Sequence, residues 1–420
     1  MTKIKVRERR AIVQSLRAGV VPKVGLQHIQ VGRDKELTEI IRDLDSVKEG
    51  AAAIRYIVAN YGSGKTFFLT LSRLIALNKG FIVMHGDLSP KKKIYSSSGE
   101  SRSLFCELTQ HISTRSKTSG GALESILQRY INAISSRAQS NSLSVKDELT
   151  KSLTKFRNYA GGYDFAEVIK IYFDSYEDGD EKRQQAVMRW LRGEYATKTD
   201  ARRDLGVRCI IHDDNWYDYL KLYARFVSEA GYSGLVVCID EAVNIMLIQH
   251  GSSRAKNYEF LLRILNDILQ GVADHLSIMI GGTEEFLEDE HRGVASHEAL
   301  YTRLRPNEYA SEVLVDLSGP VMKLPQLTKE ECFVLIQKIR EVMQSGEKKK
   351  LDLPDEALQK FLDHCYDYIG EAYFQTPRKT IKAFVDFVSL LKQNPSQSWK
   401  DILQKIQVEP DHEDDFAAYG

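Results

Sequence analysis

Residues 54–69 read Ile54-Arg55-Tyr56-Ile57-Val58-Ala59-Asn60-Tyr61-Gly62-Ser63-Gly64-Lys65-Thr66-Phe67-Phe68-Leu69. An apolar, β-rich run, Ile54–Ala59, passes into a loop with two glycines and then into the helical pattern Phe67–Leu77. Strand, glycine loop and helix in that order form a phosphate-binding element. The glycines let backbone N–H groups turn inward, and the helix N-terminus adds positive dipole. Asn60, Tyr61, Gly62, Ser63, Gly64, Lys65, Thr66 and Phe67 are therefore the candidate nucleotide-binding residues. Lys65 is expected on the β- and γ-phosphates and Thr66 on Mg²⁺. The first glycine of the usual G-x-x-x-x-G-K-[ST] pattern is Ala59 here, so a loop that binds nucleotide without hydrolysing it stays open.

Four further runs share the near-continuous apolar character of parallel strands covered on both faces: Phe81–His85, Leu235–Ile239, Ser277–Ile280 and Val313–Leu317. Helical patterns separate them, which gives a doubly wound α/β core. Residues 86–234 lie between the second and third runs, far more than one crossover helix uses. The interval from about 90 to 231 therefore holds a helical insertion, with helical spacing at Leu123–Ile134 and Ala186–Leu191 and a solvated acidic turn at Glu177–Glu181. After Pro325 the strands stop. Leu327–Met343, Asp355–Tyr368 and Pro377–Lys392 read as the amphipathic helices of a small all-helical domain, the first opened by a Thr328/Glu331 capping box. The expected plan is a basic arm over 1–30, a core over 31–322, a helical lid over 323–408 and a polar, acidic, disordered tail over 409–420.

The third run ends in Asp240-Glu241, a carboxylate pair where open α/β sheets bind ligands. Asp240 is the expected Mg²⁺-holding residue and Glu241 the general base that polarises the attacking water. No Asn-Lys-x-Asp guanine-reading motif follows, so ATP is the expected nucleotide.

Composition narrows the class. The chain has 420 residues, 43% hydrophobic and 28% charged, with zero net charge, so any nucleic-acid surface is local. Five scattered cysteines suit a reducing, cytoplasmic setting. The charged N-terminus, MTKIKVRERR, lacks a long apolar sequel, so no signal peptide is expected. No run approaches the ~20 apolar residues of a membrane helix. His212-Asp213-Asp214 lacks the further ligands of a metal or nuclease centre and reads as a loop before a helix at Trp216–Val227. Lys3, Lys5, Arg7, Arg9, Arg10, Arg17 and Lys23, with Lys91-Lys92-Lys93, either meet DNA phosphates or form solvated charged faces.

The order of elements resembles the AAA+ ATPases, nearest the origin-recognition branch. Ile29-Gln30-Val31-Gly32-Arg33-Asp34, with Glu36-Leu37, resembles the box that lies against adenine in that class, which marks Val31 and Gly32 as nucleotide-binding. Ser277-Ile278-Met279-Ile280-Gly281-Gly282-Thr283 resembles the sensor-1 strand, with Thr283 directed to the γ-phosphate or the attacking water. By the same resemblance Arg303 or Arg305 is an arginine finger for a neighbouring subunit, and Arg378, in Thr376-Pro377-Arg378, is the sensor-2 arginine.

A narrower resemblance covers nearly the whole chain. Residues from Arg10-Ala11-Ile12 to Gly32-Arg33, the loop Tyr61–Leu69, Trp190-Leu191-Arg192-Gly193-Glu194 and Ala230–Leu235 resemble the BREX phage-defence ATP-binding proteins, the BrxD-like P-loop family. That family's loop usually begins Gly-Glu-Tyr-Gly, where this chain has Ala59-Asn60-Tyr61-Gly62. The resemblances imply a homo-oligomeric ATPase of bacterial anti-phage defence, with other defence proteins and double-stranded DNA as partners. A conformational switch that recruits partners with little turnover is the alternative. With Lys65 facing the phosphates, Lys65→Ala removes most ATP affinity from a folded protein. Nucleotide titration checks this, and unchanged affinity overturns the loop assignment.

Overall fold

The computed structural model describes residues 4–307, 316–347, 351–369 and 377–406. The strands are β1 (Ala52–Val58), β2 (Ile82–Asp87), β3 (Leu235–Asp240), β4 (Leu276–Gly282) and β5 (Val321–Lys323). The helices up to the insertion are α1 (Val6–Arg17), α2 (Asp34–Lys48) and α3 (Lys65–Asn78). The insertion carries α4 (Glu100–Gln110), α5 (Leu123–Asn141), α6 (Val145–Thr154), α7 (Gly162–Glu177), α8 (Glu181–Leu191), α9 (Lys198–Leu205) and α10 (Trp216–Glu229). Then come α11 (Gly251–Leu269), α12 (Glu284–Glu288), α13 (Glu298–Leu304), α14 (Lys329–Gln344), α15 (Asp355–Ile369), α16 (Pro377–Gln393) and α17 (Trp399–Leu403).

The α/β class holds. The sheet order is β2-β3-β4-β1-β5, so β1 lies inside the sheet although it comes first in the chain. The β2–β3, β3–β4 and β4–β1 pairs are parallel. β3 and β4 are buried along their whole length, which is why their sequences are apolar without alternation. The run Val313–Leu317 lies mostly outside the described residues, and the fifth strand described is Val321–Lys323. Thr376 and the tail beyond residue 406 also lie outside them. Among the described residues no helix is long and apolar enough to cross a membrane.

The chain divides into two units. One comprises Glu36–Val58 and Ser72–Met322. It contains most of the sheet and the insertion, whose core is aromatic. Trp216 stacks on Phe260 at 5.6 Å, and Trp190 meets Tyr219 edge-on at 5.4 Å. Burying such rings requires partners for their polar tips. Trp216 Nε1 donates to the Ile94 carbonyl (3.1 Å), Trp190 Nε1 to that of Cys209 (2.8 Å) and the Tyr223 hydroxyl to that of Leu191 (2.9 Å). The acidic turn is the junction of α7 and α8, where Asp180 caps α8 by accepting the Arg183 amide at 3.0 Å.

A cation is buried inside the sheet. Arg55, at the centre of β1, is 6% exposed and forms a bidentate pair with Asp43 of α2 (2.6 and 2.9 Å). Its Nη1 also donates to the carbonyls of Leu317 and Gly319. The guanidinium thereby joins α2 to the segment leading into β5, with its donors satisfied as a buried charge requires.

The other unit comprises Met1–Lys35, Ala59–Leu71 and Lys323–Gly420. Ile12 and Leu16 make the buried face of α1, while Arg9 donates to the Ser345 carbonyl (2.6 Å) and pairs with Glu347. The Thr328/Glu331 capping box forms at the head of α14: the Glu331 amide donates to Thr328 Oγ1 (3.2 Å) and the Thr328 amide to Glu331 Oε2 (2.9 Å).

The loop His212-Asp213-Asp214 has a structural task. The N-cap of α4 is Gly99, which has no side chain to offer. Buried Asp213 supplies the missing acceptor from afar, taking the Gly99 amide at 2.7 Å and the Arg102 amide at 2.8 Å. Among the described residues no group of three His, Cys, Asp or Glu side chains is arranged to hold a metal ion. Asp213→Ala therefore lowers unfolding free energy by about 2 kcal/mol, the scale of a lost cap with buried amides left unpaired. The same change at exposed Asp214 leaves stability within about 0.5 kcal/mol. Urea denaturation of the two variants checks this, and equal shifts overturn the capping role.

Candidate functional site

The glycine loop follows β1 directly, with Val58 the last strand residue and Ala59 the next in the chain. Ala59 is buried and is not among the residues with positive φ, so alanine fits where the usual pattern has glycine. Gly62 (φ 75°) and Gly64 (φ 90°) do need the left-handed region. A Cβ on Gly64 would meet nothing within 4 Å, so its backbone faces open space of the kind a phosphate oxygen needs. The Phe68 amide already donates to the Gly64 carbonyl at 2.9 Å, so helical bonding begins inside the loop. Lys65 and Ser63 are buried; Tyr61, Gly62 and Thr66 are exposed, with Asn60, Gly64 and Phe67 between.

In the same unit the structure brings the box residues beside this loop. Gly32 (φ 64°) and Arg33 (φ 68°) are consecutive left-handed residues. Arg33 Nη2 donates to the Pro325 carbonyl and, at 3.5 Å, to that of Ser63. Val31 and Gly32 are half-buried. A Cβ on Gly32 would stand 2.6 Å from Glu331 Oε1, the capping carboxylate of α14. Arg378, one residue into α16, lies over Gly19, where a Cβ would be 3.0 Å from its Nε.

In the sheet-bearing unit, Asp240, Glu241 and Thr283 share the carboxyl edge. β3 and β4 run in register there, Ile239 opposite Ile280, with Asp240 closing β3 and Thr283 following β4. Asp240 is buried, and one of its carboxylate oxygens accepts the Glu241 amide at 2.8 Å. Its carbonyl accepts the Leu88 amide at 3.0 Å. Asn244 fastens the turn, donating to the carbonyls of Leu88 (3.0 Å) and Glu241 (3.2 Å). Glu241 itself sits at φ 60°, ψ 38°, a left-handed conformation that a residue with a Cβ adopts at a cost. Strain of that kind clusters at functional sites. Thr283 is buried and caps α12, its hydroxyl oxygen accepting the Phe286 amide at 3.1 Å while its own proton stays available to donate. Arg303 and Arg305 are exposed at the end of α13, and Arg303 Nη1 donates to the Ala299 carbonyl at 2.8 Å.

Asp87 joins this edge without having been singled out in the sequence. It closes β2 in register with Asp240. Burial, then the negative charges of Asp240 and Glu107, raise its pKa above the usual carboxylate value, against Lys92 and Arg73. Its signal was positional: it lies two residues past the apolar run Phe81–His85, where Asp240 directly follows its own. Carboxylate oxygens at this edge are the donor type that a hard cation such as Mg²⁺ takes.

A parallel sheet whose first strand runs into a left-handed glycine loop and a helix, with a carboxylate pair closing another strand, defines a P-loop nucleotide-binding protein. The family model for the BREX system ATP-binding protein BrxC/D matches residues 4–407, and the chain belongs to that family. Among solved structures it is similar to the Aeropyrum pernix ORC2 protein in its ADPNP–ADP complexes, at 13% identity over 89% of this chain and 66% of that one, with a TM-score of 0.43. The ADP form of the same protein matches at 13% identity over 96% and 69%, with a TM-score of 0.40. The chain thus spans just under two thirds of the length of the first of these. No curated protein matches the sequence.

Because Glu241 has a left-handed backbone, Glu241→Gly relieves a cost of about 1 kcal/mol. The variant melts no lower than the parent, whatever it does to activity. Calorimetry checks this, and a clearly lower Tm overturns the strain.

Proposed function

We propose that the chain hydrolyses ATP to ADP and phosphate with Mg²⁺, as a homo-oligomer that acts on double-stranded DNA or a protein–DNA complex in anti-phage defence. The observation that carries the reading is Glu241, held in a strained turn directly after buried Asp240. A solvated acidic strand end has no need of a left-handed glutamate braced by Asn244. Membership in a BREX family supports ATP as the nucleotide and other defence proteins as partners.

In this reading Val31 and Gly32 lie against adenine. The amides of Asn60, Tyr61, Gly62, Ser63, Gly64 and Phe67 surround the phosphates, and Lys65 neutralises the β- and γ-oxygens. Thr66 and Asp240 hold Mg²⁺, which when bound offsets charge on the phosphates. Glu241 takes the proton of the attacking water, and Thr283 orients that water through its free O–H. Arg378 reads the γ-phosphate from the lid. Arg303 or Arg305 serves the nucleotide of the next subunit, a role suited to an exposed guanidinium at a helix end.

Glu241→Gln separates binding from chemistry. It keeps ATP affinity and loses turnover by ~10²-fold or more, the scale of a general-base contribution. Steady-state hydrolysis and equilibrium titration, each with and without duplex DNA, check this. A parent protein that binds ATP but never turns it over leaves the switch reading in its place. A variant as fast as the parent assigns the base elsewhere.

A further inference from the structure

Several cations around the insertion are paired with carboxylates. Lys155 and Arg137 pair with Glu229 (2.7 and 3.0 Å), Lys221 with Asp267 (2.9 Å) and Arg225 with Asp274. Like the head of α8 with Lys182 and Arg183, the short helix α9 carries exposed cations that are not so paired. Ala201 and Leu205 bury one side of it, while Lys198, Thr199, Arg202 and Arg203 are exposed on the other. Arg203 is held by Asp204 (3.0 Å) and Asp200 (3.1 Å), whereas Lys198, Arg202 and the exposed Arg208 beyond the helix have no carboxylate partner among the described residues. Thr197 fixes the start of the helix by accepting the Asp200 amide at 3.2 Å, and Trp190, Tyr195 and Leu205 anchor its surroundings in the core. The face is therefore a rigid cationic one.

We infer that the exposed face of α9, with Lys198, Arg202 and Arg208, binds the phosphate backbone of duplex DNA. The inference rests on the proposal that the protein acts on DNA and names the surface that meets it. Lys198 and Arg202 stand one helical turn apart, about 6 Å along the axis, as side chains that reach successive phosphates must. No aromatic residue is exposed on α9, so the face lacks the stacking platform that single strands use. It equally lacks the apolar or aromatic anchors around which protein interfaces are built. Recognition of this type is independent of base sequence and steeply salt-dependent.

The test is fluorescence anisotropy of the full chain with a short random-sequence duplex across a salt series. The parent is compared with Lys198→Ala/Arg202→Ala/Arg208→Ala, with the charge-keeping Lys198→Arg/Arg202→Lys/Arg208→Lys, and with Lys151→Ala/Lys170→Ala elsewhere on the insertion. The triple alanine variant binds more weakly, and its slope of log K against log[salt] is shallower by about 2 to 3, near 0.9 for each phosphate no longer neutralised. The charge-keeping and Lys151/Lys170 variants keep the parental slope, which separates charge at α9 from folding and from charge in general. If the parent binds the duplex and the triple alanine variant keeps its slope, the α9 assignment fails while action on DNA stands. If the parent binds no duplex at low salt, both fail. Binding of polyglutamate in preference to duplex overturns the inference in favour of an acidic protein partner.

Discussion

Parallel strands bonded in register must end at a common edge, and most of the candidate chemistry follows from that constraint. Inside the sheet, backbone groups find partners in the neighbouring strands and the side chains are apolar. At the carboxyl edge the ladder stops while burial persists. Asp87 and Asp240 are brought side by side there, too close for both charges to be indifferent to each other. The chain must also leave β3 sharply, because Leu88, coming off β2, already takes the Asp240 carbonyl. The left-handed Glu241 is the turn that results, and Asn244 bonds both of its sides.

A second constraint holds the glycine loop within its own unit. Arg33 reaches two carbonyls, Ser63 in the loop and Pro325 ahead of α14, from a backbone that is itself left-handed. The preceding Gly32 leaves no room for a Cβ against Glu331, the residue that caps α14. The box thus touches both its neighbours, the loop through Arg33 and the head of α14 through Gly32.

The sequence exposed its regularities well and its long-range bonds poorly. β1, β3 and β4 coincide with apolar runs because strands buried on both faces leave an uninterrupted signature. The C-terminal helices α14, α15 and α16 begin within two residues of their expected starts because Thr328, Pro354 and Pro377 mark them locally. Glu241 and Lys65 were readable as a motif, but the strain at Glu241 was not, since nothing in Ile239-Asp240-Glu241 announces a positive φ. Arg55 stands within an apolar run, and its reason for being charged lies twelve residues back at Asp43 and far ahead at Leu317. Asp213 read only as part of a loop ahead of a helix, and its capping task was hidden because its partners, the amides of Gly99 and Arg102, are distant in sequence. Asp87 shows its place only once β2 is known to lie against β3.

The aromatic core of the insertion also fixes what light can report about this molecule. Of the three tryptophans in the chain, Trp190 and Trp216 are sealed within that core and Trp399 sits in α17. None lies in the glycine loop or at the carboxyl edge of the sheet. Two of the three indoles thus bond through their ring nitrogens to backbone carbonyls in a dry interior, and their emission is a gauge of the insertion's integrity. Occupancy of the nucleotide loop is therefore better followed by a chromophore placed at the loop itself.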